Sequence, residues 1–177
     1  MNVVVRARRP TDLPVLADLL AGQQPTSRYP FRWPLPGPVE QFLVRDGEQA
    51  AWVAVLDGVL AGHVSVGPVS GLGDAAEVFR TATGCPEPAL VSVLFTSTAA
   101  RGRGVGGALL DVAVGWAQEQ GRVPVLDVVQ RHSSALTVYR HRGWVEVGRY
   151  RFAWLPDEVP DVLLLALPPL PGLSGVS

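Results

Sequence analysis

The fold is decided by Val91-Ser92-Val93-Leu94-Phe95-Thr96, a turn at residues 97–100, and Arg101-Gly102-Arg103-Gly104-Val105-Gly106-Gly107-Ala108-Leu109-Leu110. The pattern is typical of an apolar strand, a short turn, a glycine-rich bend and the start of an apolar helix. Glycines let a backbone approach a ligand closely because they carry no Cβ. The first turn of a helix offers unpaired N–H groups and a partial positive charge. The stretch therefore predicts an anion cradle suited to a phosphate.

The composition of the chain bounds its class. Its 177 residues, 47% hydrophobic and 18% charged, indicate one globular domain with a sizeable core. A net charge of -1 gives no basic footprint, so we expect no nucleic-acid partner. The single cysteine, Cys85, leaves no internal disulfide and no cysteine metal cluster, and we expect no metal. Residues 1–9 lack a signal-peptide core and residues 162–167 are too short to span a bilayer, which predicts a cytoplasmic protein without a membrane partner.

The residues before the glycine bend alternate strands with helices. Asp57-Gly58 lies between two apolar runs, which is a strong hairpin signal. Gly22 is expected to end the first helix, and the proline-rich residues 23–38 are expected to form a shaped loop. The predicted elements are a strand at 3–8, helices at 10–22, 39–44 and 74–83, and hairpin strands at 50–56 and 59–66.

The residues after the bend continue the alternation. They predict a strand at 90–96, a helix at 105–120, a strand at 123–129, a helix from 133 to about 142, and strands at 144–154 and 159–167. This order indicates an α+β domain over residues 1–167 with a mixed sheet, followed by a loose Pro/Gly/Ser-rich tail at 168–177. Only the strand–helix–strand unit around the bend needs to be parallel.

The bend also fits a dinucleotide fingerprint, G-x-G-x-x-G, and Asp127 lies where a ribose-binding acid would be sought. Three features oppose this interpretation. Residues 97–101 separate the strand from the first glycine, Asp127 falls in the middle of a strand, and the preceding residues do not begin a doubly wound sheet. A P-loop is excluded because no lysine follows the glycines.

The alternative pattern, Arg101-x-x-Gly104-x-Gly106, resembles the acyl-CoA motif of the Gcn5-related N-acetyltransferase superfamily. A second segment, His132-x-x-Ala135-x-x-x-Tyr139-x-x-x-Gly143-Trp144, is similar to the family's Asn-x-x-Ala-x-x-x-Tyr-x-x-x-Gly-Phe. The order of elements from residue 3 to residue 167 also matches. The resemblance implies the three-layer (α/β/α) acyl-CoA N-acyltransferase fold, with a mixed and mostly antiparallel central sheet.

The resemblance implies that acetyl-CoA is the co-substrate. The coenzyme pyrophosphate would lie on the bend and helix start, and the pantetheine arm along the preceding strand through main-chain groups. His132 stands where the family has asparagine, and its ring differs from an asparagine side chain in reach. The residues implied in coenzyme binding are Leu94, Phe95, Thr96, Arg101, Gly102, Arg103, Gly104, Val105, Gly106, Gly107 and His132.

The resemblance also implies direct attack of a primary amine on the thioester in a ternary complex. Tyr139 matches the family tyrosine that protonates the leaving thiolate, although it also fits the apolar face of its helix. Asp127 is the first candidate base, but its ordinary pKa of about 3.9 suits an ammonium poorly without desolvation or water. His63, with its ordinary pKa near neutrality, is the second candidate, and water is the third.

The acceptor amine, a small molecule or a peptide, would bind near the loop aromatics Tyr29, Phe31 and Trp33. These side chains equally fit a lid that only packs on the core. Nothing in the sequence selects the amine. Nothing decides the oligomeric state either, and the sequence is compatible with a homodimer. The alternative function is a catalytically silent acyl-CoA-binding or regulatory domain of the same fold.

Overall fold

The computed structural model describes residues 2–131 and 133–169. Chain contacts divide them into two units. The first unit holds residues 2–68 and 91–116, and the second holds the described part of residues 69–90 and 117–177. Within the described ranges, no helix combines the length and apolar character needed to cross a bilayer.

Seven strands and five α-helices build the two units. The strands are β1 Val3–Ala7, β2 Ala50–Leu56, β3 Val59–Pro68, β4 Ala89–Thr96, β5 Pro124–Val128, β6 Val145–Tyr150 and β7 Val162–Ala166. The helices are α1 Leu13–Ser27, α2 Val39–Leu43, α3 Ala75–Thr83, α4 Val105–Glu119 and α5 Ser133–His141. Short 3-10 turns lie at Pro10–Asp12, Val69–Leu72 and Thr98–Ala100.

The strand order is β1-β2-β3-β4 in the first unit and β4-β5-β7-β6 in the second, with β4 contributing residues to both. The β1–β2, β2–β3, β5–β7 and β6–β7 pairs are antiparallel. The first residues of β4 pair with β5 in parallel, Ala89 opposite Pro124. Helix α4 connects these two strands, as a parallel crossover requires. The predicted α+β class, mixed and mostly antiparallel, is confirmed.

The predicted hairpin between β2 and β3 is present. Asp57 and Gly58 both have positive φ, 49° and 85°, which is the backbone of a tight two-residue turn. The Asn2 N–H donates to Asp57 Oδ1 at 2.8 Å and so ties the chain start to this turn. Local sequence was sufficient here because the turn conformation depends on these two residue types.

The predicted end of the first helix was wrong. Helix α1 continues through Gly22 and ends only at Ser27, and Arg28 caps it with a φ of 63°. Two buried glutamines hold the added turns: Gln23 Nε2 donates to Leu20 O at 3.0 Å, and Gln24 Nε2 donates to Pro30 O at 3.4 Å. These bonds offset the unfavourable helix propensity of the glycine, about 1 kcal/mol.

Each unit has its own apolar core. The core of the first unit joins α1, α2, β2 and β4 through Leu16, Leu20, Leu43, Val53, Val93 and Phe95. The core of the second unit joins α3, β5 and β7 through Val69, Ala75, Ala76, Phe79, Val125, Leu164 and Ala166. In both, apolar side chains of helices cover apolar faces of strands.

Gly62 in β3 is required by close packing. A Cβ at this position would lie 2.8 Å from Phe95 O and 2.9 Å from Leu109 Cδ1. We expect Gly62→Ala to lower the free energy of unfolding by about 1–3 kcal/mol, because the backbone oxygen cannot move aside. Gly115→Ala in α4 is the control: its Cβ meets nothing within 4 Å, so helix propensity should raise stability by about 0.5–1 kcal/mol. Urea unfolding measures both, and equal effects would contradict the packing argument.

Candidate functional site

The glycine bend of the first unit has the backbone that an anion cradle needs. After β4 ends at Thr96, the chain makes the 3-10 turn Thr98–Ala100 and bends through Gly102 and Gly104. Their φ angles are 73° and 78°, in the left-handed region that favours glycine. A Cβ at either position would meet nothing within 4 Å. The bend therefore selects glycine for its conformation, and the side of the chain where these Cβ atoms would project is open.

Helix α4 begins directly after this bend and supplies donors. Its first intrahelical bond runs from the Ala108 N–H to Gly104 O at 3.0 Å. The amides of Val105, Gly106 and Gly107 precede that bond, so they have no acceptor within the helix. Gly106 is spacious, because an added Cβ would only touch Thr96 Cγ2 at 3.6 Å. Three consecutive amides thus lie at the positive end of a four-turn helix.

Arg101 and Arg103 lie on the bend with exposed side chains. Their backbone amides close the turn, with the Arg101 N–H bound to Thr98 O at 3.4 Å and the Arg103 N–H to Ala100 O at 3.3 Å. Among the residues that the structure describes, neither guanidinium forms an ion pair. Both cations can therefore reach an anion at the bend, and their roles in coenzyme binding stay predictions.

Strand β4 leads into the bend with one irregular residue. Val93 has a φ of 52° although it is β-branched, buried and in the middle of a strand. Such a conformation costs of order 1–3 kcal/mol and persists only where the surroundings impose it. Sequence reasoning missed Val93, because valine is a strand former and gives no signal of a left-handed residue. Of the residues that follow, Leu94 and Thr96 are half-buried. Phe95 is buried, so its side chain packs in the core.

His63 does not fit the role of second candidate base. It is fully buried in β3, its Nδ1 lies 2.8 Å from Val93 O, and its Nε2 lies 3.0 Å from Arg8 Nη1. The pKa of His63 is lowered to about 4, mainly by burial; the bond to Val93 O opposes this shift, and the Arg8 charge adds a smaller decrease. The expected near-neutral pKa was wrong, since the sequence did not reveal how deeply the ring is buried.

The depressed pKa of His63 predicts a pH-dependent stability. Between about pH 6.5 and pH 4 the unfolded chain binds a proton at this ring that the folded chain does not. The free energy of unfolding should therefore fall as the pH falls through this window, by about 3 kcal/mol. Urea unfolding at a series of pH values measures it, with His63→Asn as the non-titrating control. Identical pH slopes for the two proteins would contradict the prediction.

In the second unit, the Asp127 carboxylate of β5 acts electrostatically on Tyr139 of α5. The half-buried Tyr139 ring packs against Trp144 with centroids 5.9 Å apart and an interplanar angle of 62°. Burial raises the pKa of Tyr139 to about 12, and the Asp127 carboxylate contributes a second, smaller increase. The phenol is therefore protonated at neutral pH and has a proton to donate in a hydrogen bond. Of the two predicted catalytic residues, Asp127 therefore acts electrostatically on Tyr139.

Asp127 lies in the middle of β5, opposite Leu164 of β7, and its side chain is half-buried. A carboxylate there can accept a proton or orient a polar group. His132, the predicted coenzyme contact, lies outside the described residues. Within residues 2–131 and 133–169, no group of three or more His, Cys, Asp or Glu side chains could hold a metal ion.

The loop aromatics of the first unit separate into packed and exposed side chains. Tyr29 packs against the apolar core and meets Phe42 edge-on, with centroids 6.1 Å apart. Phe31 is half-buried, and Trp33 is 36% exposed. Trp33 is therefore the loop aromatic most open to a ligand. The assignment of these three side chains to acceptor binding stays a prediction.

Comparison with known families decides between the interpretations of the bend. The model of the Acetyltransferase (GNAT) family matches residues 16–144. The chain belongs to this family. The match contains both the glycine bend and the Tyr139 segment. It confirms the resemblance drawn from the two motifs, and it confirms that the chain is an acetyltransferase-type enzyme. The dinucleotide interpretation of the bend is set aside.

Solved structures of GNAT proteins share the fold. The ribosomal-protein-S18-alanine N-acetyltransferase of Escherichia coli is 16% identical over 94% of each chain, with a TM-score of 0.67. Arabidopsis thaliana NAA60 in complex with acetyl-CoA is 22% identical over 93% of this chain and 98% of its own, with a TM-score of 0.68. The ribosomal-protein-alanine N-acetyltransferase of Brucella melitensis is 23% identical over 92% and 98%, with a TM-score of 0.66. No curated protein matched the sequence.

Proposed function

We propose that this GNAT protein transfers the acetyl group of acetyl-CoA to a primary amine by direct attack in a ternary complex. The observation that carries the proposal is the glycine bend with the bare first turn of α4. Gly102 and Gly104 adopt left-handed backbone, and the amides of Val105 to Gly107 have no helical acceptor. Converging N–H donors at a helix N-terminus suit a pyrophosphate, with Arg101 and Arg103 as added cations.

The reaction joins the amine nitrogen to the thioester carbonyl carbon and breaks the bond from that carbon to sulfur. The amine loses one proton, and the leaving thiolate gains one. Tyr139 is the proposed donor to the sulfur, because its phenol is protonated at neutral pH. Full transfer of the proton from a phenol of pKa about 12 to a thiolate whose conjugate acid has a pKa near 8.5 is unfavourable by about 5 kcal/mol. Tyr139 therefore acts mainly by hydrogen bonding to the sulfur as it leaves, and solvent restores any proton lost.

The proton of the attacking amine leaves through Asp127 or through water. Asp127 is the proposed acceptor because its carboxylate acts on the phenol that is itself proposed to bond to the leaving sulfur. The carboxylate also helps to keep Tyr139 protonated, since a nearby negative charge disfavours a phenolate. The two residues would thus work as a pair, in which one group holds a proton and the other accepts one.

A peptide amine is the first acceptor to test. Two similar structures carry names that specify acetylation of alanine in ribosomal proteins, although their identity to this chain is only 16% and 23%. Trp33 and the half-buried Phe31 provide apolar surface in the loop where the acceptor is proposed to bind. Small amines remain in the test because the loop selects no chemistry by itself.

Thiol release from acetyl-CoA tests the function directly. The panel comprises a peptide with free N-terminal alanine, a peptide with an internal lysine, an amino acid and an arylamine, with product masses recorded. The matched control is the alanine peptide with a blocked N-terminus, which should release no thiol above background. Absence of acetyl-CoA binding by calorimetry would contradict the proposal.

The second candidate is a catalytically silent acyl-CoA-binding domain. The state of His63 favours it, because both ring nitrogens are engaged and the ring is buried, which removes one candidate base. Coenzyme binding without acetylation of any amine, together with no effect of Tyr139→Phe on slow thioester hydrolysis, would select this function.

A further inference from the structure

A network of largely buried polar groups ends at Val93, the irregular residue of β4. It consists of Glu48, Arg8, His63 and the Val93 carbonyl, all within the first unit. The Glu48 and Arg8 side chains are only 13% and 11% exposed, and His63 is fully buried. Burying charges and polar rings costs free energy unless they are hydrogen-bonded. A network of this length therefore suggests a function beyond stability.

The geometry of these hydrogen bonds fixes the tautomer of His63. Arg8 Nη1 lies 2.9 Å from Glu48 Oε2 and 3.0 Å from His63 Nε2. A guanidinium has only donors, so Nε2 must accept. The ring proton therefore resides on Nδ1, which donates to Val93 O at 2.8 Å. The Phe95 ring stacks on the imidazole, with centroids 5.8 Å apart and an interplanar angle of 26°, and this contact restricts the imidazole further.

The accepting carbonyl belongs to the strained residue. Val93 has a φ of 52°, a conformation that a β-branched residue avoids unless its surroundings impose it. In a trans peptide the carbonyl and the following N–H point in opposite directions. Because His63 binds Val93 O, the Leu94 N–H is directed away from the buried histidine. Fixing the carbonyl therefore fixes the direction of one backbone donor in β4.

We propose that His63, held by Arg8 and Glu48, is a positioning residue that locks the Val93–Leu94 peptide so that the Leu94 N–H serves as a donor to the acyl-thioester oxygen. The inference rests on the proposed function and on the placement of the pantetheine arm along β4 that the family resemblance implies. His63 itself touches neither substrate. A prepositioned backbone donor needs no reorganisation during the reaction, which is where such donors contribute most.

Two variants separate the two bonds of the ring. His63→Gln places an amide near the former Nε2 and keeps a partner for Arg8, but it loses the donor to Val93 O. His63→Asn places its amide nitrogen near the former Nδ1 and keeps that donor, but it loses the partner of Arg8. Each variant leaves one buried bond unmade, so we expect similar losses of stability from the two.

Activity should distinguish the variants where stability does not. We expect His63→Gln to lower kcat about tenfold with little change in the KM for acetyl-CoA, since the donor acts on developing charge. His63→Asn should recover most of that loss. Ser65→Ala is the matched control, because it removes a hydroxyl bond from β3 to the Ser92 carbonyl of β4, at 3.2 Å, one residue before Val93. Its kcat should equal that of the unmodified protein.

A crystal structure or NMR backbone assignment of His63→Gln without ligand tests the conformational step by itself. The proposal expects the φ of Val93 to return to negative values in this variant and to stay positive in His63→Asn. Positive φ in both, or equal kcat in both, overturns the inference while leaving the acetyltransferase function intact. Failure of the unmodified protein to bind acetyl-CoA overturns both proposals together.

Discussion

Replacing Tyr139 by phenylalanine should lower kcat for acetyl transfer about 100-fold and leave the KM for acetyl-CoA nearly unchanged. The substitution removes only the phenol hydroxyl group, and the ring can keep its contact with Trp144. The hydroxyl contributes in the transition state, when negative charge develops on sulfur, and little to the bound ground state. Thiol release in the presence of the best acceptor from the amine panel measures both parameters.

The pH dependence of the same reaction separates a donor from a base. With a pKa of about 12, the Tyr139 phenol is protonated throughout the working range. Ionisation of this residue should therefore cause no loss of kcat up to about pH 11. A role as phenolate base would instead make the rate rise as the pH approaches the pKa.

Tyr150→Phe is the matched control for Tyr139→Phe. Tyr150 also lies in the second unit, its side chain is half-buried, and its ring packs edge-on against Phe152 with centroids 4.8 Å apart. The substitution removes the same atom from a residue without an assigned role in the reaction, so kcat should stay unchanged. Equal kcat in Tyr139→Phe and the unmodified protein would remove Tyr139 from the mechanism.

Placing a carboxylate in the glycine bend should weaken coenzyme A binding by about 100-fold, or about 2.7 kcal/mol. Gly106→Glu introduces a negative charge on the first turn of α4, where the pyrophosphate is proposed to lie. The fold tolerates a side chain here, because the nearest atom to an added Cβ is Thr96 Cγ2 at 3.6 Å. Calorimetry with coenzyme A measures the affinity.

The same substitution should leave stability equal or slightly higher. Replacing a helical glycine removes an unfavourable propensity, and an acidic residue near a helix N-terminus interacts favourably with the dipole, each by up to about 1 kcal/mol. Affinity and stability should therefore change in opposite directions. A variant that merely damaged the fold would lose both.

Two controls isolate the effect of the charge. Gly106→Gln has nearly the same size without the charge and should bind more tightly than Gly106→Glu, by a factor that shrinks as salt is added. Gly115→Glu adds the same charge further along α4, where an added Cβ meets nothing within 4 Å, and should bind normally. Equal affinities of the Glu and Gln variants at residue 106 would contradict the anion cradle.

Sequence reasoning succeeded where the structure depends on neighbouring residues. The Asp57-Gly58 turn, the helix after the bend, and the end of α3 at Gly84, whose φ is 65°, were all predicted from local patterns. It failed at the end of α1, where a glycine suggested a stop. The glutamine bonds that carry the helix to Ser27 depend on side-chain placement, which propensity does not encode.

The candidate site divides in the same way. Motif spacing selected Tyr139 and Asp127, and in the structure the Asp127 carboxylate contributes to the raised pKa of the Tyr139 phenol. His63 was selected for its ordinary pKa, and full burial against Arg8 removed that property. Arg8, Glu48 and Val93 were not selected, because nothing about their residue types or spacing marks them.

The sequence by itself determined the family and the backbone of the glycine bend. A glycine-rich bend followed by an apolar helix creates free amides and left-handed backbone whatever surrounds it, so Gly102 and Gly104 could be assigned from their spacing alone. Only the tertiary structure decided the protonation of His63, the conformation of Val93 and the raised pKa of Tyr139. These properties arise from burial and from partners far away in the chain, and no local pattern of residues specifies either.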